Sequence, residues 1–217
     1  MRFDEVSIQN DDDKSTKWSA KQCQLIRFFE TELWMRLRDA KISAAYTGKI
    51  VCFVYTTKSK WKRCTIDGIV DLPIKSNFLQ SKPQSEAECL RLLRAIVVRA
   101  VKRVAKDDEV LSSNLQRAIE IVRATGNSYD KKFGDRKSNR SRTKSAQMFL
   151  RFGPHYPLVV VQIENRKGES EEFIAHNWKS YDGIERCLIR SLRWAGDIVQ
   201  CVDAKNKQVF AATSKIT

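Results

Sequence analysis

The stretch 126–145, GNSYDKKFGDRKSNRSRTKS, divides a helix-rich first half of the chain from a strand-rich last third. It holds two aromatic residues and no aliphatic side chain, so it buries too little apolar surface to offset the entropy of ordering it. Seven of its last fifteen residues are basic, namely Lys131, Lys132, Arg136, Lys137, Arg140, Arg142 and Lys144. We therefore expect a flexible basic linker that contacts phosphates, with a plain solvated loop as the alternative.

Net charge indicates which partners the whole chain attracts. The 217 residues include 40 basic and 26 acidic residues, a formal net charge of +14. This excess predicts attraction to polyanions, namely nucleic acid, an anionic membrane surface or an acidic protein. The first 13 residues have the opposite sign, with five acids against Arg2. We expect residues 1–17 to form a disordered acidic leader.

Several patterns that define other protein classes do not occur in the sequence. There is no apolar signal region at the start and no apolar run of about 18 residues, so neither secretion nor a membrane span is expected. The six cysteines form no C-x-x-C pair, and there are two histidines. We expect no metal and no cofactor, and an intracellular protein of the cytoplasm or nucleus with reduced cysteines.

Two helices of the first half begin with capping boxes. Ser19 and Gln22 open a helix expected over residues 20–45, and Ser85 and Glu88 open a second one after Pro83. The second helix has an apolar stripe on one side and six cations with no acid between them on the other: Arg91, Arg94, Arg99, Lys102, Arg103 and Lys106. A face of one sign repels itself, which favours an anionic partner over a simple solvated surface.

A strand pair is expected between these helices, over residues 49–55 and 61–71, with a bulge at Gly68. Its turn carries basic residues around an aromatic one: Lys58, Lys60, Trp61, Lys62 and Arg63. Cations that meet phosphates beside a ring that stacks on a base would make this tip a nucleic-acid contact. The alternative is a hairpin whose Trp61 packs inward. A third helix is expected from about Leu115 to Gly126.

The last third of the chain changes to strand periodicity. Strands are expected over residues 146–152, 158–164 and 172–178, followed by a helix over 182–196 and closing strands over 197–203 and 208–212. The fold class is therefore α+β: an N-terminal helix, a β-hairpin and a helical pair, a basic linker, and a C-terminal ββ-β-α-ββ module with one helix on a sheet. The expected domains are 18–125 and 146–217, joined by the linker 126–145 or packed as one unit.

Enzyme motifs are mostly missing from the sequence. No phosphate-binding glycine loop and no G-x-S-x-G elbow occurs. The remaining enzymatic alternative is a metal-dependent nuclease that uses Asp67, Asp71, Glu164 and Lys167. Position 166, where such a site would place its lysine two residues after the glutamate, is arginine.

The combined pattern predicts a non-enzymatic accessory protein that binds nucleic acid through phosphates, with low sequence specificity. RNA is favoured over DNA because no zinc-finger, basic-zipper or helix-turn-helix signature occurs. The contacts would come from the basic face of the second helix, the basic linker and the 58–63 tip. The competing hypothesis is an interaction module whose C-terminal part binds a protein partner and whose basic stretch is a nuclear-localisation signal.

Overall fold

The computed structural model describes residues 1–11, 18–56, 58–60, 62–76, 85–127, 129–153, 157–177 and 189–216. The chain contains both helices and sheets and is α+β. It divides into two compact units, Met1–Asn127 and Ser128–Thr217, called here the N-terminal unit and the C-terminal unit. The prediction of a flexible linker over 126–145 is wrong, because most of that stretch forms β-strand in the C-terminal unit.

The N-terminal unit is a mixed sheet packed with helices. Its elements are β1 (Glu5–Asn10), α1 (Ala20–Ala40), β2 (Lys49–Tyr55), β3 (Cys64–Ile66), β4 (Ile69–Lys75), α2 (Glu86–Ala105), α3 (Glu109–Ser113) and α4 (Leu115–Ala124). The strand order is β1-β2-β4-β3, with β1, β2 and β4 parallel and β3 antiparallel to β4. Helix α1 makes the crossover that the parallel pair β1–β2 requires.

Strand β1 corrects the expectation of a disordered leader. Phe3, Val6 and Ile8 are buried, and β1 pairs along its whole length with β2. The negative charge of Glu5 is compensated by Lys49, whose Nζ donates a hydrogen bond to the Glu5 carboxylate. Apolar spacing therefore decides the structure of this segment, and its charge does not. Residues 12–17 lie outside the described residues.

The strand pair also differs from the expectation. Residues Asp67 and Gly68, with φ of 50° and 79°, form the two-residue turn of a β3–β4 hairpin. Positive φ at both central positions is what an Asp-Gly turn supplies, so Gly68 marks a turn and not a bulge. The segment 58–63 is consequently the connection that leads from β2 to this hairpin, and not a hairpin tip.

The helix starts are confirmed, whereas one helix end is earlier than expected. Ser19 and Gln22 form the full capping box of α1, and Ser85 accepts from the Glu88 N–H at the start of α2. Helix α1 ends at Ala40 because Lys41 adopts a left-handed conformation with φ of 51°. The apolar stripe of α2 is buried as predicted.

The C-terminal unit consists, over its described residues, of two antiparallel sheets. Its strands are β5 (Tyr129–Ser138), β6 (Lys144–Phe152), β7 (Leu158–Asn165), β8 (Ser170–Asn177), β9 (Ser191–Ala195), β10 (Ile198–Val202) and β11 (Gln208–Thr213). One sheet has the order β5-β6-β7-β8 and the other β11-β10-β9. Their facing residues form one core that includes Met148, Val161, Leu192, Val199 and Cys201.

The prediction of a C-terminal helix over 182–196 is wrong for residues 189–196. Residues 178–188 lie outside the described residues. Ser191–Ala195 is strand β9, with Leu192 in the core and Arg193 exposed. Gly196, which was expected to end the helix, has φ of 62° in the two-residue loop between Ala195 and Ile198. Glycine at the first loop position is a β-hairpin preference, and it outweighs the helical spacing.

Candidate nucleic-acid interface

Two hairpin loops at one end of the β5–β8 sheet lie side by side. The first, residues 139–143, joins β5 to β6, and the second, residues 165–169, joins β7 to β8. The β6–β7 register places Lys144 opposite Asn165, which brings the two loops together. We call them the twin basic loops after their four exposed cations, Arg140, Arg142, Arg166 and Lys167.

The first loop is organised by a buried asparagine. Asn139 is 4% exposed, and its side-chain Oδ1 accepts from the Lys144 N–H at 3.1 Å. Its Nδ2 donates to Thr143 Oγ1 at 3.1 Å, and its carbonyl accepts from the Arg142 N–H at 3.0 Å. Asparagine suits this position because its short amide hydrogen-bonds to nearby backbone. The loop backbone is therefore held in one conformation.

A second asparagine organises the other loop in a similar way. Asn165 is 8% exposed, and its Oδ1 accepts from the N–H groups of Lys167 at 3.0 Å and Glu169 at 2.9 Å. Its Nδ2 donates to Glu169 Oε2 at 2.6 Å. Gly168, with φ of 84°, permits the turn to close. Because Asn165 holds Glu169, the one acid of this loop is already engaged.

The charges of the twin basic loops are available to a ligand. Arg166 Nε donates to the Arg142 carbonyl at 3.0 Å, which joins the two loops. The side chains of Arg140, Arg142 and Lys167 make no hydrogen bond or ion pair with any part of the chain that the structure describes. Because the loop backbone is already ordered, binding to phosphates orders only the side chains of these cations.

The other predicted cations of the 131–144 stretch lie on β5 and β6. Arg136 donates to Ser145 Oγ at 2.9 and 2.6 Å and to Glu164 at 2.7 Å. Lys137 pairs with Asp135 at 3.5 Å. Three further lysines differ in exposure: Lys132 is exposed, while Lys131 and Lys144 are half-buried.

The basic face of α2 has a different geometry. Arg99 donates to the Lys75 carbonyl at 2.5 Å, and Arg103 donates to the Pro73 carbonyl at 3.0 Å. Both carbonyls belong to β4 beyond the three residues that pair with β3. The two arginines therefore satisfy acceptors at a strand edge that no other described strand pairs.

The remaining cations of this face are divided between structural contacts and solvent. Arg94 donates to the Thr125 carbonyl at 2.6 Å and to Asn127 Oδ1 at 3.3 Å, at the end of α4. Arg91 lies 3.8 Å from Glu88. Lys102 and Lys106 are exposed and make no polar contact within the described residues. The helix face thus presents fewer uncommitted charges than its sequence suggests.

The 58–63 connection is partly anchored. Asp11, buried at 5% exposure, accepts from Ser59 Oγ and from the Lys60 N–H. Arg63 forms an ion pair with Asp107. Three lysines of this connection are exposed: Lys58, Lys60 and Lys62. Trp61 lies outside the described residues, so the stacking hypothesis for its ring stays a prediction.

A buried carboxylate supports the N-terminal unit. Asp108 is fully buried and accepts backbone N–H bonds from Ala45 at 2.9 Å, Tyr46 at 3.3 Å, Thr47 at 3.2 Å and Leu111 at 2.9 Å. Burial by itself raises the pKa of Asp108, and the N–H bonds outweigh it, so the pKa lies below its usual value. This residue caps α3 and fixes the loop before β2.

The carboxylates proposed for a nuclease occupy separate structural positions. Asp67 lies in the β3–β4 turn and Asp71 in β4, while Glu164 in the C-terminal unit pairs with Arg136. Among the described residues, no three His, Cys, Asp or Glu side chains are grouped closely enough to hold a metal ion.

No helix within the described ranges is long and apolar enough to cross a membrane.

Sequence reasoning missed part of this interface. Arg166 and Lys167 were not among the predicted nucleic-acid contacts, although Lys167 was named for the nuclease alternative, and the roles of Asn139 and Asn165 were not anticipated. The available signal was an asparagine at the start of each loop, since asparagine favours turns that bond to their own backbone.

No known protein-family model, curated protein or solved structure matches this chain.

Proposed function

We propose that this protein is a non-enzymatic nucleic-acid-binding protein whose twin basic loops contact the phosphate backbone. The observation that carries the proposal is the pair of asparagine-organised loops, in which Arg140, Arg142 and Lys167 have no polar partner among the described residues. Electrostatic contacts of this kind neutralise phosphates and release counterions, so binding is tight at low salt and weakens as salt rises.

The ligand class follows from the same chemistry. Arginine and lysine contacts to phosphate position a nucleic acid and carry no base information, so this surface binds with low sequence specificity. RNA is preferred in the proposal because the sequence has no DNA-reading motif. Lys102 and Lys106 of α2, exposed on the N-terminal unit, are available as additional phosphate contacts.

The protein-interaction hypothesis has less support from the described residues. Its localisation signal rested on a flexible basic stretch, whereas Tyr129–Ser138 is paired with β6 through most of its length. A large contiguous apolar patch would have marked a protein-binding surface. Ile174, Val209 and Ile198 are exposed in the C-terminal unit, but exposed aliphatic residues are ordinary on a protein surface.

A salt series tests the proposed function directly. Binding of a fluorescent 20-nucleotide single-stranded RNA, and of the same sequence as a duplex, is measured by anisotropy between 50 and 200 mM salt. The test variant is Arg140→Gln, Arg142→Gln, Arg166→Gln and Lys167→Gln combined. Its matched control neutralises four exposed lysines elsewhere: Lys41, Lys75, Lys205 and Lys207.

The expected result is a selective loss in the loop variant. Each phosphate contact contributes about 0.7 to 0.9 to the slope of log affinity against log salt, so the loop variant loses about 3 from that slope. Its affinity at 100 mM salt falls roughly tenfold or more, while the control variant changes much less. Equal losses in both variants, or wild-type binding by the loop variant, would show that the loops are not the interface.

A further inference from the structure

The outer face of the β5–β8 sheet holds a shallow depression beside the twin basic loops. Strand alternation places Gln147 and Phe149 on the face opposite Ala146 and Met148, which belong to the core. The depression has a volume of about 130 Å³, and its lining residues are Lys132, Arg136, Ser145, Gln147, Phe149, Gln162 and Glu164. It is smaller than a typical pocket for a whole metabolite, which takes about 300–1,000 Å³, so it suits a single flat group.

The apolar part of the depression is the ring of Phe149. This ring is half-buried, and its residue lies opposite Lys132 on β5 and Val160 on β7. Val160 is 1% exposed, so the sheet surface beside Phe149 is filled. An aromatic ring that is supported on one side and open on the other is a platform on which a planar group can stack.

The polar part of the depression contains one uncommitted amide. Gln147 Nε2 donates to the carbonyls of Phe133 and Gly134, at 3.1 and 3.2 Å, and so holds the irregular segment of β5 in place. Gln162 lies opposite Gln147, and its side chain makes no hydrogen bond with any described residue. A free carboxamide offers both donors and an acceptor to the edge of a heterocycle.

Charge on this face favours an anionic ligand near the loops. Lys132 is exposed and without a polar partner among the described residues. At the opposite end of the face, Arg151 is compensated by Asp130 at 2.7 Å and Glu172 at 2.8 Å. Gln162 precedes the loop residue Arg166 by four positions on β7, a separation of roughly 13 Å at the usual rise of a strand.

We propose that this depression binds one unpaired base of a single-stranded nucleic acid, stacked on Phe149 and contacted at its edge by Gln162, while the twin basic loops hold the neighbouring phosphates. The inference rests on the proposed function and adds a preference for single strands. A base can reach the Phe149 ring only when it is unstacked from its own strand, which a duplex does not permit without opening.

Three variants test the base site in the full chain. Phe149→Ala removes the ring, Phe149→Leu keeps an apolar side chain without aromatic stacking, and Gln162→Ala removes the amide. Val209→Ala, on β11 of the other sheet, is the matched control because Val209 is an exposed apolar residue. Anisotropy with single-stranded 12-nucleotide homopolymers and a 12-base-pair duplex is measured for each variant, after circular dichroism and thermal melting confirm folding.

The expected result separates ring, amide and charge. Phe149→Ala and Phe149→Leu lower single-strand affinity about tenfold, the typical cost of losing one base–aromatic stack, and change duplex affinity less than about twofold. Gln162→Ala reduces the differences in affinity among the homopolymers. Because Phe149→Leu retains apolar packing, it decides the outcome if the alanine variant fails to fold.

The outcomes distinguish this inference from the proposed function. Wild-type single-strand affinity in both Phe149 variants, with the salt dependence intact, overturns the base site and leaves the phosphate-binding surface standing. Equal affinity of the wild type for single strand and duplex overturns it as well. If the wild type binds neither RNA at 50 mM salt, the proposed function fails and the base site fails with it.

Discussion

The basic face of α2 and the twin basic loops both carry several cations with few opposing acids, yet their side chains serve different purposes. On α2, Arg94, Arg99 and Arg103 donate to backbone carbonyls of other segments. In the loops, asparagine amides satisfy the backbone, and Arg140 and Arg142 extend into solvent. Where a short polar side chain organises the backbone, Arg140, Arg142 and Lys167 have no polar partner among the described residues. Where none does, the arginines themselves become structural.

The largest effect is expected at the centre of the N-terminal unit. Asp108→Ala removes the acceptor of four backbone N–H bonds, so the free energy of unfolding falls by about 3–5 kcal/mol. Below the transition, RNA affinity stays near wild type, because the loops lie in the C-terminal unit. Thermal melting and anisotropy measure the two effects. Asp107→Ala is the neighbouring control, because its exposed pair with Arg63 contributes at most about 1 kcal/mol.

A second prediction concerns the pH dependence of the same unit. Burial raises the pKa of Glu30 to about 7, although the Ile8 N–H and Lys49 act in the opposite direction. The folded state therefore binds more protons than the unfolded chain between about pH 4.5 and 7, and its stability falls as pH rises through that range. Glu30→Gln removes the contribution of this carboxyl to the slope and raises the free energy of unfolding at pH 8 by about 3 kcal/mol relative to wild type.

Urea unfolding at pH 5 and pH 8 measures this difference. Glu120→Gln, an exposed residue of α4 that accepts from Gln116, is the control and leaves the slope unchanged. If Glu30→Gln retains the wild-type slope between the two pH values, the pKa of Glu30 is not raised by folding.

The third prediction compares the two basic surfaces directly. Replacing Arg99 and Arg103 together with alanine exposes unpaired carbonyls of β4 and lowers the free energy of unfolding by about 1–2 kcal/mol. RNA affinity changes less than about threefold, because the proposed phosphate contacts lie in the twin basic loops and not on this helix face. Lys102→Ala, on the same face but without a polar partner among the described residues, alters stability by less than about 0.5 kcal/mol. A loss of RNA binding as large as in the loop variant would make the helix face the interface.

The smallest expected effect sharpens the role of the loop asparagines. Asn139→Ala removes the side-chain bonds to Lys144 and Thr143, costs about 1 kcal/mol, and lowers RNA affinity about threefold because the loop is less preorganised. Ser138→Ala, at the exposed end of β5, is the control. Hydrogen exchange of the Lys144 amide reports loop order independently of binding. An ordered loop with reduced affinity would contradict the preorganisation argument.

Local sequence signals predicted the elements whose residues agree with one another. The Ser19 and Ser85 caps, the apolar stripe of α2 and the β-branched run of β2 were confirmed because short-range chemistry determines them. Strands β1 and β5 were missed for one reason. Their charged residues suggested disorder, whereas the inward positions Val6, Ile8 and Phe133 are the ones that pack.

The candidate site was predictable in composition but not in arrangement. The sequence indicated a basic protein and placed Arg140 and Arg142 among its candidate contacts. Arg166 and Lys167 became part of the same surface only because β6 and β7 pair in a register that aligns their loops. Phe149 and Gln162, 13 residues apart in sequence, face one depression for the same reason.

The charge, the helix caps and the apolar stripes could be predicted from the sequence alone, because each depends on residues close in the chain. Which cations are already hydrogen-bonded depends on contacts between distant segments. The carbonyls that engage Arg94, Arg99 and Arg103 come from Thr125, Lys75 and Pro73, which are 24 to 31 residues away. A hydrogen bond forms between groups that are close in space, and that closeness is set by strand register and helix packing.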